Sequence, residues 1–247
     1  KLAPTLMSEL FVPVPWGEIR GRVWGPRQGY PVLCLHGWAD NCGSFNTLIP
    51  LLPKEYRYVT IDLAGHGLSS HYPPGALYTC LSYVADVRRV LDCEYIIIII
   101  FLLNIFDDMS ALFPEMVDAL VLLDAEQFVV TDKETTSKMR QGLDEIIQFE
   151  ASSKKKKVYT YAEALERLLA AIPITKHSAQ ILLERGLVSV EGGIDVVRMM
   201  CFFVRFFQCE CVTVEGDHHV HLNNPEHVAP HISKFLQTKL SSSSSRL

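Results

Sequence analysis

Tyr30-Pro31-Val32-Leu33-Cys34-Leu35-His36-Gly37-Trp38 is the stretch whose reading decides the fold. The apolar run Val32 to Leu35 stops abruptly at His-Gly and gives way to the polar loop Asp40-Asn41-Cys42-Gly43-Ser44. A short apolar run bounded by turn residues reads as a strand buried on both faces, as in mostly parallel sheets. Gly37 lets the backbone turn sharply and leaves room for a ligand to approach the next N–H. Open α/β sheets bind ligands at the carboxyl ends of such strands, which makes His36 and Gly37 pocket candidates. Alone, a His-Gly pair is better explained by an ordinary buried strand end.

Upstream, Leu10 to Trp24 alternates loosely around Pro15-Trp16-Gly17 and reads as a β-hairpin. Downstream, Phe45 to Leu52 has helix-spaced apolar residues. Tyr58 to Ile61 is the next strand, ending in Asp62-Leu63-Ala64-Gly65-His66-Gly67-Leu68-Ser69. Here His66 reads as holding its own tight loop. Tyr78 to Leu91 is an amphipathic helix with Leu81, Val84, Val87, Val90 and Leu91 on one side. Ile96 to Ile100 and Ala119 to Leu123 are further strands. This alternation of strand and helix predicts an α/β fold, a mostly parallel sheet with helices on both faces.

From about Thr131 the pattern turns to helix after helix, over Met139–Phe149, Tyr161–Ile172 and Ser178–Leu187, with no strand signal between them. It reads as a helical lid over the carboxyl edge, spanning 131–192 between a first core part, 1–130, and a last one, 193–240. The last part is expected to hold a helix over Val196–Phe207, a strand over Cys209–Val214 and a final helix from Pro225 to Leu236. Residues 241–247 read as a flexible tail.

A chain of 247 residues, 49% hydrophobic, can bury a sizeable core. A net charge of -5 leaves no basic footprint, so nucleic acid is not an expected partner. Seven scattered cysteines, without paired Cys-x-x-Cys spacing, suit a reduced compartment and offer no metal site; no cofactor is expected. The longest apolar run, Ile96 to Leu103, is far short of the roughly 20 residues that span a bilayer. The chain is read as soluble. Five isoleucines (96–100), four lysines (154–157) and five serines (241–245) are three homopolymer runs of three residue types. Together they read as placeholder positions and carry little weight.

His36-Gly37-Trp38, the Asp62–Ser69 segment and Gly216-Asp217-His218 together resemble an α/β-hydrolase. The chain is most similar to the serine hydrolase-like proteins of animals. Val14–Gly17, Pro31–Asn41, Gly65–Tyr72, Phe113–Asp118 and Asn224–Ala229 match that family's wording in order. The resemblance implies an α/β-hydrolase fold and hydrolysis of an ester or similar small-molecule acyl substrate held under the lid. Acyl transfer needs a nucleophile, a base, an acid that orients the base, and N–H donors for the oxyanion. By the resemblance, His218 is the base, ahead of its neighbours His219 and His221, and the Trp38 N–H is the first oxyanion donor.

At the nucleophile the chain departs from the family. No Gly-x-Ser-x-Gly elbow occurs. Counting back from Phe113-Pro114-Glu115, the elbow falls on residues 98–102, with Ile100 where a serine is expected and Phe101 supplying the second oxyanion N–H. Asp107, Asp108 and Ser110 fall in the following helix by this count. The acid is open as well. Glu191-Gly192-Gly193 passes almost at once from the lid to the last core part, where the family has another strand, so about one strand and one helix are missing. Asp124, closing its strand, is the candidate acid and equally a cap at the lid's entrance.

Three functions follow. The preferred one is a serine hydrolase; Ile100 taken literally favours a catalytically inactive binding or scaffold protein; a haloalkane dehalogenase-like enzyme would need a carboxylate at position 100. The closing Ser245-Arg246-Leu247 differs from the peroxisomal Ser-Lys-Leu by one charge-conserving exchange. A peroxisomal import receptor and a peroxisomal location, ahead of the cytoplasm, are the corresponding expectations.

Overall fold

The computed structural model describes residues 7–37, 39–93, 98–101, 112–123, 137, 140–145, 147–148, 158–190, 193–196 and 212–243. Among the described residues the main sheet has six strands: β1 (Met7–Val14), β2 (Gly17–Trp24), β3 (Tyr30–Leu35), β4 (Tyr56–Ile61), β5 (Ile98–Phe101) and β6 (Ala119–Leu122). Their spatial order is β1-β2-β4-β3-β5-β6. β1 and β2 form the expected hairpin, with Val14 opposite Gly17. Beyond β2, which meets β4 antiparallel, every pairing is parallel.

The central strand β3 shows why a continuous apolar run was needed. Leu33 and Leu35 pack on one face against Val84, Val87, Val90 and Leu91 of helix α1 (Cys80–Cys93). On the other face Val32 and Cys34 pack with Phe45, Leu48, Ile232 and Leu236. The last two belong to α5 (Ala229–Ser243). Each fully buried aliphatic side chain stabilises the fold by about 1.5–3 kcal/mol, so both faces of the sheet act as core.

The parallel register sets the place of the site. Leu35 lies opposite Ile61 of β4 and Phe101 of β5, and Phe101 lies opposite Leu122 of β6. Four strands therefore end side by side at one edge of the sheet.

The helical region contains helical residues at 140–145 and 147–148, then α2 (Tyr161–Ala171) and α3 (Lys176–Gly186). α2 begins with a capping box. Thr160 Oγ1 accepts the Glu163 N–H at 3.3 Å, and the Glu163 carboxylate accepts the Thr160 N–H at 2.7 Å. No helix among the described residues is long and apolar enough to cross a membrane.

Several sequence expectations are corrected. Phe45–Leu52 is not one helix. It contains parts of two 3-10 turns, Cys42–Phe45 and Ile49–Leu51, and Pro50 at the start of the second cannot donate to a continuing helix. The helical region does not run unbroken to its end, because Leu187–Val190 (β7) and Gly193–Val196 (β8) pair as an antiparallel hairpin. Val196 is thus in a strand, and 197–207 lie outside the described residues. Val212–Val214 are not in a strand, and 209–211 lie outside the described residues. The carboxyl-terminal region instead contributes α4 (Val220–Asn223), a 3-10 turn at Pro225–His227 and α5.

Candidate active site

The exit of β3 is built from its own backbone. His36 is fully buried, and its Nε2 accepts the Leu63 N–H at 3.0 Å. Its Nδ1 therefore carries the proton and donates to the Gly37 carbonyl at 2.7 Å. Burial lowers the pKa of this imidazole, only partly offset by the Asp62 and Asp40 carboxylates. His36 thus ties the exits of β3 and β4 together as a neutral strut. His66, its ring tilted against that of His36 with centroids 4.9 Å apart, bonds the Ala64 carbonyl through Nδ1 at 3.1 Å, and burial pushes its pKa down to about 3.

The Gly37 carbonyl also accepts the Asp40 N–H at 3.2 Å, closing a tight turn. Within it Ala39 has φ +59°, a left-handed conformation that costs an L-residue about 1 kcal/mol. The turn points Asp40 inward. Its Oδ2 accepts the Ser44 hydroxyl at 3.1 Å, and its Oδ1 lies 3.4 Å from His219 Nε2. Burial alone would raise the Asp40 pKa, but the His219 bond and the fields of His219, His221 and His36 hold it below the usual value.

The histidines arrive on a turn with its own geometric demands. Gly216 has φ +153°, and a Cβ there would sit 2.4 Å from Val220 Cγ2. Asp217 Oδ1 accepts the His219 N–H at 2.8 Å, and both Asp217 carboxylate oxygens accept from Asn223 Nδ2. Thr47 donates its hydroxyl to the Leu222 carbonyl at 3.0 Å, fastening the turn to the segment after β3. His221 is buried, neither ring nitrogen has a hydrogen-bond partner among the described residues, and burial lowers its pKa to about 3.

The structure brings some of the expected site residues together. His218 is exposed on this turn, its ring edge-on to that of His219 at 5.1 Å. Through His219 and Asp40 the turn reaches the edge where β3 and β5 end. Ile100 lies within β5, opposite Cys34 and Val121, and Phe101 is the strand's last residue. Isoleucines favour the pleated, paired conformation, and without the elbow's glycines nothing turns the chain at position 100. Trp38 and Asp124 lie outside the described residues. Sequence reasoning missed Asp40 as the partner of a histidine, though it stands in the loop that opened the reading. It also set His219 aside as a neighbour of His218.

A family model for the α/β hydrolase fold matches residues 30–94, the segment from β3 through α1. A hypothetical protein from Pseudomonas aeruginosa PAO1 superposes with a TM-score of 0.78 at 24% identity, covering 94% of this chain and 99% of that one. The fold is that of the α/β-hydrolases. The chain is 42% identical to "Serine hydrolase-like protein" of Danio rerio, over 93% of this chain and 88% of the relative. It is 34% identical to "Serine hydrolase-like protein 2" of Homo sapiens, over 95% of this chain and 96% of the relative. This chain belongs to the serine hydrolase-like proteins. The match to the Danio rerio protein extends over 288 positions, more than the 247 residues of the whole chain. The relative therefore carries residues within the matched span that this chain lacks.

Proposed function

We propose that the site at the carboxyl edge, with a serine at position 100 where the isoleucine run 96–100 reads as placeholder, hydrolyses an ester or similar acyl substrate, a small molecule with its carbon chain under the helical region. The observation that carries this reading is the buried pairing of Asp40 with His219, which draws the histidine turn to the strand ends where position 100 lies. In the reaction, a serine at position 100 attacks the carbonyl carbon and gives its proton to a histidine of the turn, His218 by the family resemblance. The N–H groups of Trp38 and residue 101 hold the oxyanion. The alcohol leaves with that proton, and water then releases the acid from the acyl-enzyme. Asp124 is a candidate acid in this scheme.

One observation favours a second reading, a binding or scaffold protein on the same fold. Ile100 has no atom that can attack a carbonyl, and the strand runs straight through it. Ester turnover separates the two. As written, the chain turns over no p-nitrophenyl ester. The variant I98G/I100S/L102G hydrolyses short-chain and medium-chain p-nitrophenyl esters, and loses that activity on addition of His218→Gln. A folded I98G/I100S/L102G protein without turnover would favour the binding protein.

A peroxisomal location and an import receptor for Ser245-Arg246-Leu247 belong to the same proposal and rest on those three residues alone. A fluorescent reporter carrying them gathers in peroxisomes if the proposal holds and stays diffuse if it does not.

A further inference from the structure

We propose that Arg185 is a positioning residue for the loop that presents the oxyanion N–H, acting through Asp62 and so coupling helix α3 to the site; this rests on the hydrolase reading above. Arg185 stands in the last turn of α3 with only 2% of its surface exposed. Its Nε donates to Asp62 Oδ2 at 2.9 Å, and its Nη1 donates to both carboxylate oxygens of Glu9 at 3.0 Å. One guanidinium thus bridges the amino-terminal hairpin, the exit of β4 and the helical region.

Asp62 passes that anchor on to the β3 exit. It is fully buried, and its second oxygen, Oδ1, accepts the Cys42 N–H at 2.8 Å. Its Oδ2 also takes the Leu68 N–H at 2.9 Å, which fixes the loop after β4. A second tie comes from the same helix. Asn41 Nδ2 donates to the Leu182 carbonyl of α3 at 2.8 Å, while Asn41 Oδ1 accepts the Gly43 N–H at 3.0 Å. Helix α3 therefore grips Asn41–Gly43 twice, just past the turn that contains Trp38.

The residue type matters. A guanidinium offers several donors in a rigid plane and can serve two carboxylates in different directions. An ammonium is a point charge and can satisfy only one of them well. Oxyanion donors work only within a narrow range of distance, and a displacement of about 1 Å can cost about 10²-fold in rate. A helix that fixes the donor loop is therefore a kinetic element as well as a structural one.

Amide hydrogen exchange and kinetics on Arg185→Lys test this. In the chain as it stands, the Cys42 amide should exchange about tenfold faster in Arg185→Lys, with Leu33 and Val59 in β3 and β4 unchanged. In I98G/I100S/L102G, Arg185→Lys should lower kcat on a p-nitrophenyl ester by about 10²-fold and leave KM within about twofold. An unchanged Cys42 amide, a uniform loss of protection across the sheet, or an unchanged kcat would overturn the proposal. If I98G/I100S/L102G hydrolyses no ester, the hydrolase reading falls, and the exchange of Cys42 alone decides whether Arg185 holds the loop. Should Arg185→Lys not fold, Arg185→Gln, which leaves Asp62 and its bonds to the Cys42 and Leu68 N–H groups in place, is read in the same two ways.

Discussion

His219 Nε2 lies 3.4 Å from Asp40 Oδ1, and both side chains are buried although 179 residues separate them in sequence. This contact joins the end of β3 to the last turn before α4.

The first prediction concerns that carboxylate in acid. The folded-state pKa of Asp40 is depressed: burial raises it, but His219, His221 and His36 lower it further. The unfolded chain then takes up this proton first. The stabilisation is present above the unfolded value, near pH 4, and is lost as pH falls through the folded value. Urea unfolding at pH 5 and pH 3 should show a smaller acid loss in Asp40→Asn than in the parent chain. The Asp40 carboxyl, followed by carbon NMR, should titrate higher in His219→Gln and stay put in His218→Gln. An identical Asp40 titration in both variants would contradict the pairing.

The buried imidazoles make a second prediction at milder pH. His66 and His221 are held to about 3 by burial, far below the usual histidine value. Between that value and about 6.5 the unfolded chain binds protons that the folded chain refuses, so stability falls as pH falls. Each imidazole contributes up to about 1.4 kcal/mol per pH unit. Urea midpoints measured from pH 7 to pH 5 should decline, and His221→Phe, which leaves no hydrogen bond unmade, should flatten the decline. A midpoint independent of pH in the parent would refute it.

Gly67 offers a backbone test of the Asp62 hub. It has φ +50°, and a Cβ there would lie 2.3 Å from Asp62 Cγ. Gly67→Ala should therefore cost more than the usual left-handed penalty of about 1 kcal/mol, because the carboxylate that holds the Cys42 and Leu68 N–H groups must move. Urea unfolding at pH 7 measures the loss, and a change below about 0.5 kcal/mol would mean that Asp62 can shift freely.

The sequence was legible where structure is local. Val32–Leu35, Tyr58–Ile61 and the apolar stripe of Val84, Val87, Val90 and Leu91 carry their periods in consecutive residues, and each falls in the expected element. The turn at Gly216-Asp217 was legible for a related reason, since its glycine and carboxylate serve neighbours within a few residues. Arg185 was not legible. A single arginine at a helix end reads as a solvated charge, and the carboxylates that bury it stand 123 and 176 positions away. The same holds for Asp40, whose partner is in the last part of the chain. The β7–β8 hairpin escaped notice because two four-residue strands around Glu191-Gly192 give too short a period to separate from helix.

The central claim is that position 100, at the carboxyl edge beside the histidine turn, is the seat of a serine nucleophile. The most direct measurement is intact-protein and peptide mass spectrometry of I98G/I100S/L102G after treatment with a fluorophosphonate. The account predicts one covalent phosphonyl adduct on residue 100, formed much more slowly when His218 and His219 are both replaced by glutamine, and none on the chain as written. A folded variant that stays unlabelled, or one labelled equally well without those histidines, would contradict it.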